Sequence, residues 1–386
     1  MNSIAPTGKR AERVTAGRDA EAGGVLTIDL GALVSNWRAL DRASGRAECA
    51  AVVKADGYGI GLTPAVEALA AAGCRTFFVA HLAEAARARK AAPDATIYVL
   101  NGLLPGTAAA YGPDRLRPIL GSASEIAEWS RFCRDRRQRL PAAVHVDTGM
   151  NRLGLRPADA PALASDASTR QAFEMSLLMS HFASSEVVAD PANARQIATF
   201  DRVRALFGDT PASLCNSSGI FLPQRPHLDM VRPGYALYGG NPTSGAPNPM
   251  QAVIRLEARI IQLRDVEAGE TVGYNCQWTA PRACRIAVLS VGYADGFPRA
   301  ASATDVKPGG VAIVAGQRCP FAGRVSMDLI TVDVTEVSAD AVEPGDLAVL
   351  VGDDLGIDEV GSRAGTIGYE VLTSLGNRYA RHYVRP

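Results

Sequence analysis

Residues 51–61 read AVVKADGYGIG, and the rest of the chain is organised around them. The apolar run Ala51–Val53 is how a strand buried on both faces reads. It stops at Lys54, and Gly57, Gly59 and Gly61 then leave the backbone free to turn tightly or to approach a ligand closely. A lysine at the end of a buried strand is costly unless it is paired, used chemically, or led to solvent along its apolar stem. Tyr58, four positions on and set among glycines, directs attention to the chemical use.

Outward from this stretch, short apolar runs recur at Thr76–Ala80, Thr96–Leu100, Arg117–Leu120, Ala143–Val146, Met175–Met179, Ala212–Leu214 and His227–Val231. Ala-rich helical stretches lie between most of them, such as Pro64–Ala72, Leu82–Ala91, Ser124–Arg136 and Ala192–Phe207. With Ala51–Val53 this makes eight short strands separated mainly by helices, the rhythm of a parallel (β/α)8, TIM-like barrel in the α/β class. No GxGxxG follows the first strand, which removes the main signal for a doubly wound open sheet. Before the barrel, VLTIDL at 25–30 reads as a strand and Gly31–Ala43 as an amphipathic helix.

The character changes near residue 240. NPTSGAPNP at 241–249 is a linker composition. Beyond it Ala252–Leu263, Arg285–Ser290, Gly310–Val314, Leu329–Val334 and Leu347–Val351 are strand-like runs punctuated by glycine, with little helical periodicity before Thr366. The expected organisation is a flexible extension over 1–23, a barrel over 24–244 and a C-terminal, mostly β domain over 245–386.

Composition agrees with a two-domain globular chain: 386 residues, 47% of them hydrophobic. Forty basic and forty acidic residues cancel, so nothing in the charge balance points to nucleic acid or an anionic membrane. The seven cysteines are scattered and lack a CxxC pair, which argues against a disulfide framework or a metal site and fits a cytoplasmic protein. Residues 1–23 have no apolar core of a secretion signal, and no window reaches the length of a membrane helix.

In a (β/α)8 barrel the reactive groups sit at the carboxyl ends of the strands. Those ends here are polar: Lys54, His81, Asn101, His145, Asp147, His181, Asn216 and Arg232. Around and beyond them stand DTGMNRLG (147–154), SHFA (180–183), NSSG (216–219) and VRPGYALYGG (231–240). Backbone N–H groups entering a short helix at NSSG are suited to a phosphate. The β domain adds VGYNCQW (272–278), VGYADGFPR (291–299), GRVSMDL (323–329) and TIGYEVLTSLGNR (366–378).

In type, order and spacing these motifs resemble those of bacterial alanine racemases, over about residues 25–386. The lysine stretch itself is similar to the family's usual VKANAYGHG and departs from it at Asp56, Gly57 and Ile60. The resemblance implies pyridoxal 5'-phosphate (PLP) bound covalently to Lys54, a small-molecule substrate, alanine, and no metal. It implies that Lys54 is the base on one face of the substrate Cα and that Tyr274, from the other subunit of a homodimer, is the base on the opposite face. Racemisation needs two such groups, one to remove the α proton and one to return it from the far side. His181 is implied to hydrogen-bond Tyr274, with Arg232 behind it. Arg232 would also face the pyridine nitrogen, and an arginine does not surrender its proton there.

Tyr58, Asn216, Ser217, the backbone of Gly234 and Tyr235, and Tyr369 are the implied phosphate-side, cofactor-binding residues. Arg152 is implied to hold the phenol oxygen and the substrate carboxylate with help from the Met327 amide, and Tyr293 and Tyr369 to narrow the entrance to a methyl-sized side chain. One departure stands out: many members have a carbamate-modified lysine two residues before the aspartate of DTGM, and this chain has His145 there. His227 and His382 have no motif support and are read as structural.

A broad-specificity amino-acid racemase is the nearest alternative, and pocket volume separates the two. A non-catalytic PLP-binding barrel protein predicts neither a β domain nor a second base. A barrel decarboxylase of the same fold would carry a cysteine-centred motif that is absent here.

Overall fold

The computed structural model describes residues 21–385. Of the expected extension, residues 1–20 lie outside the described residues. The barrel is present and closes. Strands Ala51–Val52, Thr76–Val79, Thr96–Val99, Arg117–Leu120, Pro141–His145, Glu174–Met179 and Ala212–Ser213 form a parallel ladder in chain order. The eighth strand, Met230–Val231, pairs in parallel with Glu48–Cys49, just ahead of the first. Arg232 N donates to Cys215 O at 2.9 Å and Val52 N to Pro233 O at 2.9 Å, which joins the eighth strand to the seventh and back to the first. Strands of this kind are covered on both faces, so they read as unbroken apolar runs. Thr76–Val79 is buried at every position. Fully burying a side chain such as Phe77 or Phe78 is worth about 1.5–3 kcal/mol, and both are completely buried.

The second unit is built on the 13-residue strand Ile254–Val266. Along one part it pairs antiparallel with Leu347–Val351, and beyond a register shift near Ile260 with Cys284–Leu289. The hairpin Val311–Val314 with Gln317–Pro320 and the strand Ile330–Asp333 complete the sheet. Strand Gly24–Asp29, which the sequence reading grouped with the barrel, belongs here by its pairing: antiparallel to Ile254–Val266 and parallel to the last strand, Ala380–Val384. Strand propensity identifies such a segment but not its partner. Asp29 then caps the helix Leu30–Ser44 by accepting from Ala32 N at 2.8 Å. Helix Ile357–Ala364 also lies in a region read from sequence as nearly free of helix.

Barrel and β sheet are tied through Asp358 on that helix. Its carboxylate accepts from the Tyr235 hydroxyl at 2.6 Å and from Asn241 N at 3.0 Å, both in the loop after the eighth barrel strand. Hydrogen bonds to a charged group are each worth roughly 1.5–3 kcal/mol. Asp358→Ala should therefore lower the unfolding free energy by about 2–4 kcal/mol in urea titration; a change within about 0.5 kcal/mol would mean the tie contributes nothing.

Candidate active site

Immediately after the first barrel strand the backbone turns left-handed. Ala55, Asp56 and Gly57 have φ of 52°, 53° and 64° with ψ of 50°, 47° and 45°, and Tyr58 follows at φ 52°. Gly57 N bonds to Val53 O and Gly59 N to Ala55 O, which makes this one turn of left-handed helix. For a non-glycine residue that conformation costs about 1–2 kcal/mol, and Ala55, Asp56 and Tyr58 all adopt it. The surroundings over-determine the turn. Glu84 accepts from Ala55 N at 2.7 Å and Asp56 N at 3.4 Å. The Asp56 carboxylate accepts from Leu62 N at 3.1 Å and from Arg87 at 2.7 Å. From the far end of the chain, Arg381 donates to Gly59 O at 2.8 Å and the Tyr383 hydroxyl to Ile60 O at 2.7 Å. A Cβ on Gly59 would overlap the carbonyl oxygen of Leu372, so that position admits only glycine.

The turn delivers Lys54 and Tyr58 to the same rim. The Tyr58 ring stacks on Tyr238 with centroids 4.5 Å apart, and its hydroxyl lies against Gly234, where a Cβ would overlap it. Ser217 Oγ accepts from Gly234 N at 3.0 Å and from Ala236 N at 3.2 Å. The second amide converging on this point is thus that of Ala236, while the Tyr235 side chain turns away to Asp358 and its ring stacks on Tyr369 at 3.8 Å. Asn216 caps the short helix Ser218–Phe221 by accepting from Gly219 N at 2.9 Å, and Ser185 Oγ donates to it at 2.8 Å. Both N–H groups donate to Ser217 Oγ here; two amides, a serine and a tyrosine hydroxyl converging on one point are groups of the kind that bind a phosphate.

Two residues before Gly234, Arg232 begins a cationic cluster. Arg232 is only 3% exposed; it donates to Ser213 Oγ and to Ser180 O, and its Nη2 lies 3.5 Å from His181 Nδ1. Burial lowers its pKa to about 10, so it stays charged at neutral pH. Burial first, then Arg232 and Arg152, holds His181 well below the usual histidine range. Burial and then Arg232 bring His145 down to about 4. Lys54 is lowered by burial and then by Arg152. No carboxylate of the described residues hydrogen-bonds Arg232. Positive charge concentrated in this way is expensive unless an anion completes it.

Arg152 projects from the loop after the fifth strand. Asp147 does not neutralise it, because its carboxylate accepts from the amides of Gly149, Met150 and Asn151 at 2.9–3.2 Å. The loop closes on its own strand through Leu155 N to His145 O at 2.9 Å and Asp147 N to Leu155 O at 2.8 Å. A Cβ on Gly154 would stand 2.6 Å from Asp147 N and 3.2 Å from the His145 ring. His145 therefore packs under the Arg152 loop, facing the site as strand alternation requires. Buried Gln196, without any motif, joins this loop to the next: it donates to Thr148 Oγ1 at 3.2 Å and His181 O at 2.9 Å, and accepts from Ala183 N at 2.9 Å.

The residues expected from the β domain are not gathered here within one chain. Tyr274 is 69% exposed, Met327 54% and Tyr293 40%. Tyr293 and Met327 share a corner through Tyr293 N to Ser326 O and Ala294 N to Met327 O. Tyr274 stands on a turn with Asn275 at φ 64° and Cys276 at φ 48°. Among the described residues no hydrogen bond joins Tyr274 to His181.

A barrel with a β unit, a lysine on a strained turn, a phosphate-shaped cradle and a cluster of cations define an enzyme site for a phosphate-bearing cofactor and a carboxylate substrate. Residues 28–242 match the alanine racemase N-terminal domain and residues 253–383 the alanine racemase C-terminal domain, and the chain belongs to the alanine racemase family. It is 59% identical over 362 residues to an alanine racemase of Methylobacterium nodulans, covering 94% of this chain and 96% of that one. An alanine racemase of a second Methylobacterium strain is 58% identical over 362 residues, 94% and 98% of the two chains. Among solved structures, alanine racemase from Bartonella henselae with covalently bound pyridoxal phosphate superposes with a TM-score of 0.89 at 38% identity, covering 94% of this chain and all of that one.

The neutral histidines set a pH dependence. In the unfolded chain His145 takes up a proton near 6.5, whereas in the folded protein it does so only near 4. Below 6.5 the unfolded state therefore binds more protons, and stability falls as pH drops through that window. Urea titrations at pH 7.5 and 5 should show the loss, and His145→Gln should reduce it; equal stability at both pH values would contradict the assignment.

Proposed function

We propose that this chain racemises alanine with pyridoxal phosphate held by Lys54, in sites completed by a second copy. The observation that carries the reading is the left-handed turn that brings Lys54 into a cationic cluster beside the Ser217–Gly234–Ala236 cradle. The residues fit the group: amides and hydroxyls for a phosphate, a lysine amine for its carbonyl carbon, and an arginine without a carboxylate partner for its ring. When bound, the cofactor withdraws electrons from the substrate Cα and makes its proton acidic. The protein places the groups that move that proton.

Tyr58, Ser217, Tyr369 and the backbone at 234–236 hold the phosphate, with Asn216 fixing the local backbone. Arg232 would face the pyridine nitrogen and, remaining charged at neutral pH, would not give up its proton there. Arg152, exposed on its closed loop and free of Asp147, takes the substrate carboxylate and the cofactor phenol oxygen. His145, neutral beneath the loop, supports it by packing where other members use a modified lysine. Lys54, lowered in pKa by burial and by Arg152, is poised to accept the α proton on its own face. Tyr274 of the partner subunit serves the other face. His181, held neutral with Nδ1 toward the Arg232 donor, carries its proton on Nε2 and donates it to the partner's Tyr274 oxygen, which favours the phenolate that can take a proton from Cα. Met327 and Tyr293 of the same exposed corner come from the partner too, giving a head-to-tail homodimer with two composite sites.

We divide the chain near residue 244, with Gly24–Asp29 added to the C-terminal β unit. The seven cysteines are free in the structure, which supports a reducing, cytoplasmic setting. No helix of the described residues is long and apolar enough to cross a membrane. A cofactor-carrying barrel without turnover accounts for neither the β unit nor its exposed tyrosines.

The test is chiral analysis of purified protein incubated with L-alanine. Native protein should form D-alanine. Lys54→Ala should lose both racemisation and the visible absorbance of lysine-bound cofactor; retention of either would contradict the role of Lys54. Tyr274→Phe should slow proton abstraction from one enantiomer roughly 10²–10⁴-fold more than from the other, and equal slowing would remove the two-face assignment. After subunit exchange, a mixture of the two inactive variants should recover activity, because each hybrid dimer contains one intact site. No recovery would mean that sites are not shared.

A further inference from the structure

We propose that Glu84 is a positioning residue for Lys54: its carboxylate ties the left-handed turn to the end of the second barrel strand and so sets where the lysine amine points. The proposal rests on the reading of Lys54 as the cofactor lysine. Glu84 is the third residue of the helix Leu82–Ala91, the place where a glutamate usually reaches back to cap its own helix. One oxygen does that, accepting from Ala80 N at 2.8 Å and His81 N at 3.3 Å. The other crosses to the neighbouring loop and accepts from Ala55 N and Asp56 N. Ala55 directly follows Lys54, and both residues so held are non-glycine in left-handed conformation.

Four backbone donors converge on one group, so its two oxygens must both be acceptors. An ionised carboxylate meets that demand, whereas an amide would turn an N–H toward one of the two pairs. Glu84 also supplies the negative charge that raises the Lys54 pKa against the lowering by burial and Arg152.

The barrel contains an internal comparison. Glu125, the third residue of helix Ala123–Arg136, accepts from Gly121 N at 2.7 Å with one oxygen and from Leu103 N at 2.9 Å with the other. It ties the fourth strand end to the loop after the third, as Glu84 ties the second to the first. If this device serves only to hold the barrel together, the two glutamates are equivalent. If Glu84 positions Lys54, they are not.

Glu84→Gln and Glu125→Gln should be compared in the full-length, cofactor-loaded protein. For Glu84→Gln, kcat should fall roughly 10²-fold while KM for alanine stays within about 3-fold, since Arg152 is untouched. The pH titration of the visible band should shift to lower pH, because a negative charge near Lys54 is gone. Amide hydrogen exchange of the segment 53–61 should speed up by about 10-fold or more without a matching rise in the strands at 141–145 and 174–179. Glu125→Gln should lower the melting temperature but leave kcat, the titration and exchange at 53–61 near native.

Parallel losses in both variants, with no spectral shift and no local exchange at 53–61, would reduce Glu84 to a helix cap and overturn the proposal. Should Glu84→Gln not fold, Glu84→Asp keeps the charge but is one methylene too short to span both strand ends; it should show the same local exchange, and native exchange and kcat there would overturn the proposal. If cofactor labelling shows Lys54 is not the attachment point, the reading of Lys54 fails instead; normal labelling with an inert Glu84→Gln sinks only the present inference.

Discussion

The active face depends on keeping four consecutive residues, Ala55–Tyr58, in a left-handed turn that only one of them, a glycine, adopts without cost. Left to itself the segment would relax toward an ordinary extended or right-handed path. It is held from the barrel side by Glu84 and Asp56 and from the β unit by Arg381, Tyr383 and the Leu372 carbonyl. Strand Ala380–Val384, paired beside Gly24–Asp29, carries Arg381 and Tyr383 to that loop. The end of the chain returns to the first barrel strand, and the two units share the work of clamping one loop. Strain of this kind persists at functional sites because many contacts over-determine it.

The second constraint is electrostatic. Arg232 is buried without a carboxylate partner of its own, two histidines are pushed toward neutrality, and Lys54 is lowered, while the nearby acids Asp147 and Glu84 are committed to backbone amides. A site arranged in this way is selective for anionic ligands. Neutral histidine at 181 and 145 limits the accumulated charge, which a protonated pair would make prohibitive. The same burial keeps His181 neutral, and because its Nδ1 faces the donor-only Arg232, its Nε2–H is left to donate to a phenol oxygen.

The barrel was legible because parallel strands covered on both faces leave short unbroken apolar runs, Thr76–Val79 among them. The pairing of Gly24–Asp29 was not, since alternation marks a strand without naming its neighbour. Helix Ile357–Ala364 was hidden by Gly361, whose missing Cβ lets the segment at Ile367 approach within what would be 2.7 Å. Lys54, Tyr58, Arg152, His181, Ser217 and Arg232 lie in motifs at strand ends, and the structure brings their segments to one rim. Glu84 and Gln196 were not legible, because a polar residue on an Ala-rich helix reads as a solvated face. The HLAE spacing was the available signal for Glu84, weakened by a histidine where a cap is usually serine, threonine or aspartate. The handedness of the turn was equally silent: an aspartate sometimes takes positive φ, but Ala55 and Tyr58 are not residues that announce it.

The central claim is that the turn after the first strand exists to present one lysine to the cofactor. The chain has four lysines, at positions 9, 54, 90 and 307, so attachment is readily mapped. Protein loaded with pyridoxal phosphate would be reduced with borohydride, digested and analysed by mass spectrometry for the peptide carrying the pyridoxyl phosphate mass. The account requires stoichiometric labelling at Lys54 alone. Labelling at Lys9, Lys90 or Lys307, or none despite a visible cofactor band, would contradict it.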